Sequence, residues 1–176
     1  MKLSKTILIF FIFLVCCHNN VSFAQKTINS DLYRYTLVIP NSLLRTADSI
    51  HDIESDREYY DSTIGILLFI TARDGIFTNT KHYIDCSKED LEKELKAYQS
   101  DPALKLIECS RSKYFPDKIV MLHFETSVLP AGFNRCIVYF VHHYGKEIQF
   151  SFMYNKANEE LSLEYIDHVM QSLALL

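Results

Sequence analysis

The feature that most constrains this chain is a pair of alternating segments, residues 135–144 and 147–154, separated by Gly145-Lys146. A period of two marks a strand with one buried face, and a two-residue loop with Gly in first place joins such strands as an antiparallel hairpin. That loop sets Tyr144 opposite Glu147, His142 opposite Gln149 and Phe140 opposite Ser151. The other face carries Ile137, Tyr139, Val141 and His143 against Ile148, Phe150, Phe152 and Tyr154. One side is densely apolar and must be covered, which commits the chain to an antiparallel sheet with a packed face.

The remaining segments supply further strands and two helices. Residues 32–39 alternate, with Tyr33, Tyr35, Leu37 and Ile39 on one face and Pro40 closing the strand. Residues 63–71 are a continuous apolar run, the pattern of a central strand covered on both faces. Arg73-Asp74-Gly75 reads as a turn and residues 77–84 as a short strand. Ser87 followed by Asp90 is a helix N-cap signature, with Leu91, Leu95 and Tyr98 as the buried stripe and Glu92–Lys96 on the wet face. Residues 104–110 and 118–126 complete the strands. A closing helix from about Asn158 repeats Leu163, Ile166, Val169, Met170 and Leu173 at helical spacing, ready to pack on the apolar sheet face. The order predicts an α+β fold, an antiparallel β-sheet flanked by helices.

Residues 1–24 have the three parts of a secretory signal: Lys2 and Lys5, an apolar stretch over 6–15, and Ser22-Phe23-Ala24 before a cut ahead of Gln25. Such a stretch is too short to span a bilayer. Acylation at Cys16 or Cys17 is the second choice, since the residue before the modified Cys should be small. The expected product is one domain, residues 25–176, exported to a periplasmic or extracellular space and without a transmembrane segment. The whole chain carries −4, and without Lys2 and Lys5 there are 16 basic against 22 acidic residues, or −6. That sign argues against a nucleic-acid binder. Gly65, Gly75, Gly132 and Gly145 are too far apart for a dinucleotide fingerprint or a phosphate-cradling loop.

Residues 41–62 read as a long acidic surface connection, with a short helix starting near Ser42. Asp48, Asp52, Glu54, Asp56 and Glu58, beside Tyr59 and Tyr60, offer a charged rim with aromatic anchors for a protein partner. Asp52, Glu54 and Asp56 have calcium-loop spacing, but Arg57 stands where the loop needs Gly and Thr63 where it needs Glu. His142 and His143 point to opposite faces of a strand and cannot share one zinc ion, and no complete ligand set accompanies His123. No cofactor or metal is therefore expected. Of the mature cysteines, Cys86 and Cys109 are the pair that could form a disulfide, with Cys136 buried and free. No signature for nucleophilic, metal-dependent or thiol-redox catalysis occurs.

With these elements placed, the chain resembles the PsbP-like superfamily of small exported domains. The likeness is carried by Tyr35-Thr-Leu-Val-Ile-Pro40, the helix over residues 87–100, Tyr144-Gly-Lys-Glu-Ile-Gln-Phe150 and Tyr165-Ile-Asp-His-Val-Met-Gln-Ser172. It implies an α/β/α sandwich and a non-catalytic binding or accessory role, and it transfers no site residue. The expectation is an exported, non-enzymatic protein-binding domain, in its sharpest form an immunity protein against an exported toxin. The alternatives are an accessory or structural subunit of an envelope assembly, and a small periplasmic hydrolase using His123 or His142.

Overall fold

The computed structural model describes residues 24–46 and 56–176. At its centre is the predicted hairpin, β8 (Arg135–His143) and β9 (Lys146–Tyr154). The turn is Tyr144-Gly145, with φ of 49° and 71°, so His143 faces Lys146, His142 faces Glu147 and Phe140 faces Gln149. The loop lies one residue earlier than the sequence suggests, which slides the partners by two positions. A slip of two leaves every side chain on its expected face.

Five strands extend this hairpin. β5 (Ile66–Asp74) pairs with β9, β4 (Asp56–Asp61) with β5, and β3 (Leu44–Arg45) with β4. On the other side β7 (Ile119–Glu125) pairs with β8, and β6 (Lys105–Arg111) with β7. The order is β3-β4-β5-β9-β8-β7-β6, antiparallel throughout. A smaller sheet has the order β1-β2-β10, from β1 (Gln25–Ser30), β2 (Tyr35–Pro40) and β10 (Ala174–Leu175).

Several expectations are corrected. Residues 41–62 are not simply a long connection, and no helix starts at Ser42, because β3 and β4 lie there. In β4, Tyr59 and Asp61 are buried, so acidic residues disguise an alternating strand. β1 buries only Ile28 and Ser30, too sparse a pattern to read. Residues 77–84 hold no strand. Asn79 Oδ1 instead accepts the His82 N–H at 3.0 Å and starts helix α1 (Thr80–Asp85).

Ser87 caps helix α2 (Lys88–Gln99) as predicted, its Oγ accepting the Asp90 N–H at 3.2 Å. Leu91 and Leu95 are buried, but Tyr98 is 83% exposed and does not belong to the stripe. Helix α3 (Glu159–Gln171) buries Tyr165, Ile166, Val169 and Met170, while Leu163 stays largely exposed at its side.

The two faces of the large sheet are covered in opposite halves. The small sheet and α3 lie over β5 and β9, where Tyr35, Leu37, Val169 and Met170 pack with Leu68, Ile70, Phe150 and Phe152. On the reverse face, Leu91 and Leu95 of α2 lie over β6–β8, against Leu106, Leu122, Phe124 and Val138. Among the described residues, each face therefore leaves a half uncovered, and a groove lies in each. Among the described residues, no helix is long and apolar enough to cross a membrane.

Candidate functional site

One row of side chains shows how the first groove arises. Tyr59, Leu68, Phe152, Ile137, His123 and Glu108 stand opposite one another across six strands, all on the face that α3 partly covers. The row begins in the large core and ends where that core runs out. The next row, through Phe150, Tyr139 and Met121, runs parallel to it. Beyond α3, Met121, Ile137 and Tyr139 become the floor of a groove of about 400 Å³, and Leu163, Glu164, Ile166 and Asp167 of α3 form one wall. Glu108 stands on the opposite side. The floor is apolar and aromatic, and three carboxylates ring it.

Both ends of the groove are fixed by polar contacts. At one end the loop after β6 reaches α3: Lys113 Nζ lies 2.5 Å from Asp167 Oδ1, and the Tyr114 hydroxyl donates to the Asp167 carboxylate and to its carbonyl oxygen. Burial pushes the Asp167 carboxyl up, but the Lys113 and Tyr114 contacts outweigh it and hold the group below its ordinary range. At the other end His123 Nε2 shares a hydrogen bond of 2.8 Å with the Tyr154 hydroxyl, and Glu159 Oε1 is 3.8 Å away. Arg135 joins this end through ion pairs to Glu125 at 2.6 Å and Glu159 at 3.4 Å. Burial lowers the His123 pKa against the opposing pull of Glu159.

The second groove, about 520 Å³, lies on the reverse face at β4 and β5, lined by Glu58, Tyr60, Leu67, Phe133, Asn155 and Asn158 among others. The sequence-predicted contact residues meet it only in part. Glu58 and Tyr60 line it, with the Tyr60 ring edge-on to Phe133 at 6.4 Å. Tyr59 turns the other way into the core, beneath the Lys26 ammonium at 5.1 Å, and is not a surface anchor. Asp56 has its backbone in β4, and Asp48, Asp52 and Glu54 lie outside the described residues, as do Cys16, Cys17 and the segment 1–23.

The other chemical candidates are engaged elsewhere. His142 lies 3.2 Å from Glu147, and His143, on the opposite face, is 2.9 Å from the Leu176 carbonyl oxygen. Buried Glu147 accepts the Phe77 and Thr78 N–H groups at 3.1 and 2.7 Å. Cys86 and Cys109, the pair that could form a disulfide, are not bridged: Cys109 Sγ donates to the Tyr83 carbonyl at 3.1 Å. Burial pushes the Cys109 thiol up to about 11 and the Cys136 thiol up to about 12. Neither is an activated thiolate. Among the described residues, no three metal-ligating side chains converge.

Sequence reasoning does not find the first groove, because Glu108, Met121, Tyr139 and Leu163 come from four elements and meet only through strand register. The readable signal is the alternation of Met121 and His123 in β7, which assigns them a common face without saying that α3 stops short of it.

No family model matches the chain, and no curated protein sequence matches it. Solved structures do. The solution structure of cyanobacterial PsbP (CyanoP) from Synechocystis sp. PCC 6803 superposes with a TM-score of 0.60 at 15% identity, covering 90% of this chain and 96% of that one. The Ran-binding protein Mog1p of Saccharomyces cerevisiae superposes with a TM-score of 0.58 at 5% identity, covering 88% and 96%. The chain has the PsbP-like α+β fold.

Proposed function

We propose that this chain is an exported, non-catalytic binding domain, and that the groove beside α3 receives a basic segment of a protein partner. One observation carries the reading: the floor of Met121, Ile137 and Tyr139 is ringed by Glu108, Glu164 and Asp167. Protein interfaces pair an apolar, aromatic-rich centre with a polar rim, and an acidic rim selects a basic partner and speeds its approach. A binding role also fits the fold, which is shared with a protein described as Ran-binding. The non-catalytic reading is supported by the state of the reactive groups. His123 is held by a tyrosine hydroxyl, and both Cys109 and Cys136 are protonated near neutral pH.

The finer role we propose is neutralisation of an exported toxin, supported by the leader-like segment 1–24 and the mature charge of −6 against a basic cleft. Co-expression of the chain with the product of a neighbouring gene, scored for growth rescue and co-purification, tests it. A harmless neighbour, or neither rescue nor binding, leaves an envelope accessory subunit as the reading. Two variant sets then locate the contact: Glu108→Gln with Glu164→Gln in the groove, and Asp52→Ser, Glu54→Ser with Asp56→Ser in the acidic stretch. Loss of affinity and of its salt dependence in the first set supports the groove. Loss in the second set alone moves the contact to the acidic stretch.

A further inference from the structure

A different surface lies at the end of the molecule that carries the β8–β9 turn. Antiparallel register brings four loops there, residues 31–34, 75–79, 112–118 and 144–145. They are tied together. Gly75 N–H donates to the Gly145 carbonyl at 2.8 Å, Leu176 N–H donates to the Arg34 carbonyl at 2.8 Å, and the Arg34 guanidinium lies 4.7 Å from the Tyr144 ring centre. On this frame Leu32, Ile76, Phe77, Tyr144 and Leu176 are each 52–68% exposed, five of the eleven large apolar residues exposed among those described. None of the five lines either groove.

Backbone geometry singles out the same place. Tyr144, at φ 49°, and Arg34, at φ 57°, are two of three non-glycine residues with positive φ among those described, and they touch each other. A two-residue turn takes Asn or Gly there without strain, so a tyrosine points to a use for its side chain. Charge agrees: residues 31–34, 73–78, 112–118 and 144–146 hold five basic against three acidic residues, in a chain whose total is −4. With Lys113 paired to Asp167 and Lys146 to Asp74, the basic groups left are Arg34, Arg73 and Lys118.

We propose that this end docks on an anionic lipid surface, with Ile76, Phe77 and Tyr144 entering the headgroup layer and Arg34 and Arg73 meeting its phosphates. Exposed aliphatic and aromatic side chains on projecting loops, flanked by arginine and lysine, match the interfacial zone of a bilayer. None of the five exposed apolar residues lines a groove, so their side chains can enter a fluid layer. The surface adjoins the acidic groove through the loop 112–118 but does not rest on that reading.

The test is co-sedimentation with vesicles rich in phosphatidylglycerol and with vesicles of phosphatidylcholine alone. The full chain is expressed with its leader in an exporting host and purified as that host processes it, and comparison among variants cancels any contribution from the leader. The parent protein is expected to bind the anionic vesicles, more weakly as salt rises, and to leave the neutral ones in solution. Phe77→Ser should weaken binding about tenfold. Tyr144→Asn should also weaken it while raising Tm by roughly 2–4 °C, because the turn relaxes. A merely structural Tyr144 would lower Tm on replacement. Equal sedimentation with both vesicle types, none with either, or variants indistinguishable from the parent would overturn the proposal. So would retention of a protein partner by this end without any vesicle binding.

Discussion

The two faces of the large sheet are closed by different means. Among the described residues, 23 buried apolar residues from the small sheet, the large sheet and α3 form one cluster over β5 and β9, with the Tyr35 and Phe150 rings perpendicular at 5.5 Å. Over β6–β8 the cluster has eight, to which α2 contributes only Leu91 and Leu95. Polar groups fasten that helix instead. Glu92 accepts the Leu106 N–H at 2.8 Å, and Lys88 donates to the Ile107 carbonyl at 2.9 Å, which also occupies the outer edge of β6. Asp101, just after the helix, accepts the Ala103 and Ser127 N–H groups at 2.9 and 2.8 Å and the hydroxyls of Thr126 and Ser127. The first layer is held chiefly by apolar area, with the Asp167 contacts to Lys113 and Tyr114 at its edge. The second is held at its rim by carboxylates, and its stability should depend on their ionisation.

Removing area from the large cluster should cost most. Phe152 is fully buried at its centre, edge-on to Tyr139 at 6.2 Å. Phe152→Ala should destabilise the whole fold by about 3–5 kcal/mol, read from the denaturant midpoint at unchanged slope. Leu91→Ala, under the thinner layer, should cost about 2–3 kcal/mol, at the low end for such truncations because a helix at the rim can settle into the void. Hydrogen exchange separates the two. The Leu91 variant should lose protection in α2 and β6 while β5, β8 and β9 keep theirs. Uniform loss in both variants would mean that the two layers unfold as one.

The largest single acid response should belong to the thin layer. The hydroxyl of Thr126, then the Ser127 N–H, holds the Asp101 carboxyl at about 2, well below its ordinary value. A carboxyl depressed in the folded state stabilises it fully above the unfolded pKa, and that contribution is lost as pH falls through the folded value. Unfolding free energy should therefore drop between about pH 4 and pH 2. Asp101→Asn should flatten that limb while lowering stability at pH 7. An unchanged acid limb would place the sensitivity elsewhere.

How much of this was legible follows from what periodicity can register. The hairpin, β2, the Ser87 cap and the α3 stripe announce themselves because each buries one face at a regular interval. β4 does not, because Asp61 occupies an inward position where a hydrophobe is expected, made tolerable by the Thr63 N–H at 2.9 Å and the Tyr165 hydroxyl at 3.4 Å. The exposure of Tyr98 and Leu163 was illegible for another reason. Helical spacing says which residues share a face, but not where the neighbouring layer ends. The groove is made of such an ending. Its residues look like core in sequence, and only the half-coverage of the sheet turns Met121, Tyr139 and Leu163 toward an opening.

That distinction yields the smallest stability effect and the sharpest contrast with Asp101. Glu108 and Glu164 are exposed, and among the described contacts Glu108 only accepts the Ser110 hydroxyl at 2.8 Å. The double variant Glu108→Gln, Glu164→Gln removes two charges from the rim and no packing, so it should leave unfolding free energy within about 0.5 kcal/mol of the parent. Asp167 is left out of the pair because Lys113 and Tyr114 depend on it. If the groove receives a basic segment, the same variant should slow association with a basic partner and reduce the dependence of the rate on salt, with little change in dissociation. A fall in stability comparable to that of Leu91→Ala would show that these carboxylates brace α3 against β6. An unchanged rate alongside unchanged stability would leave the groove without a role for its charge.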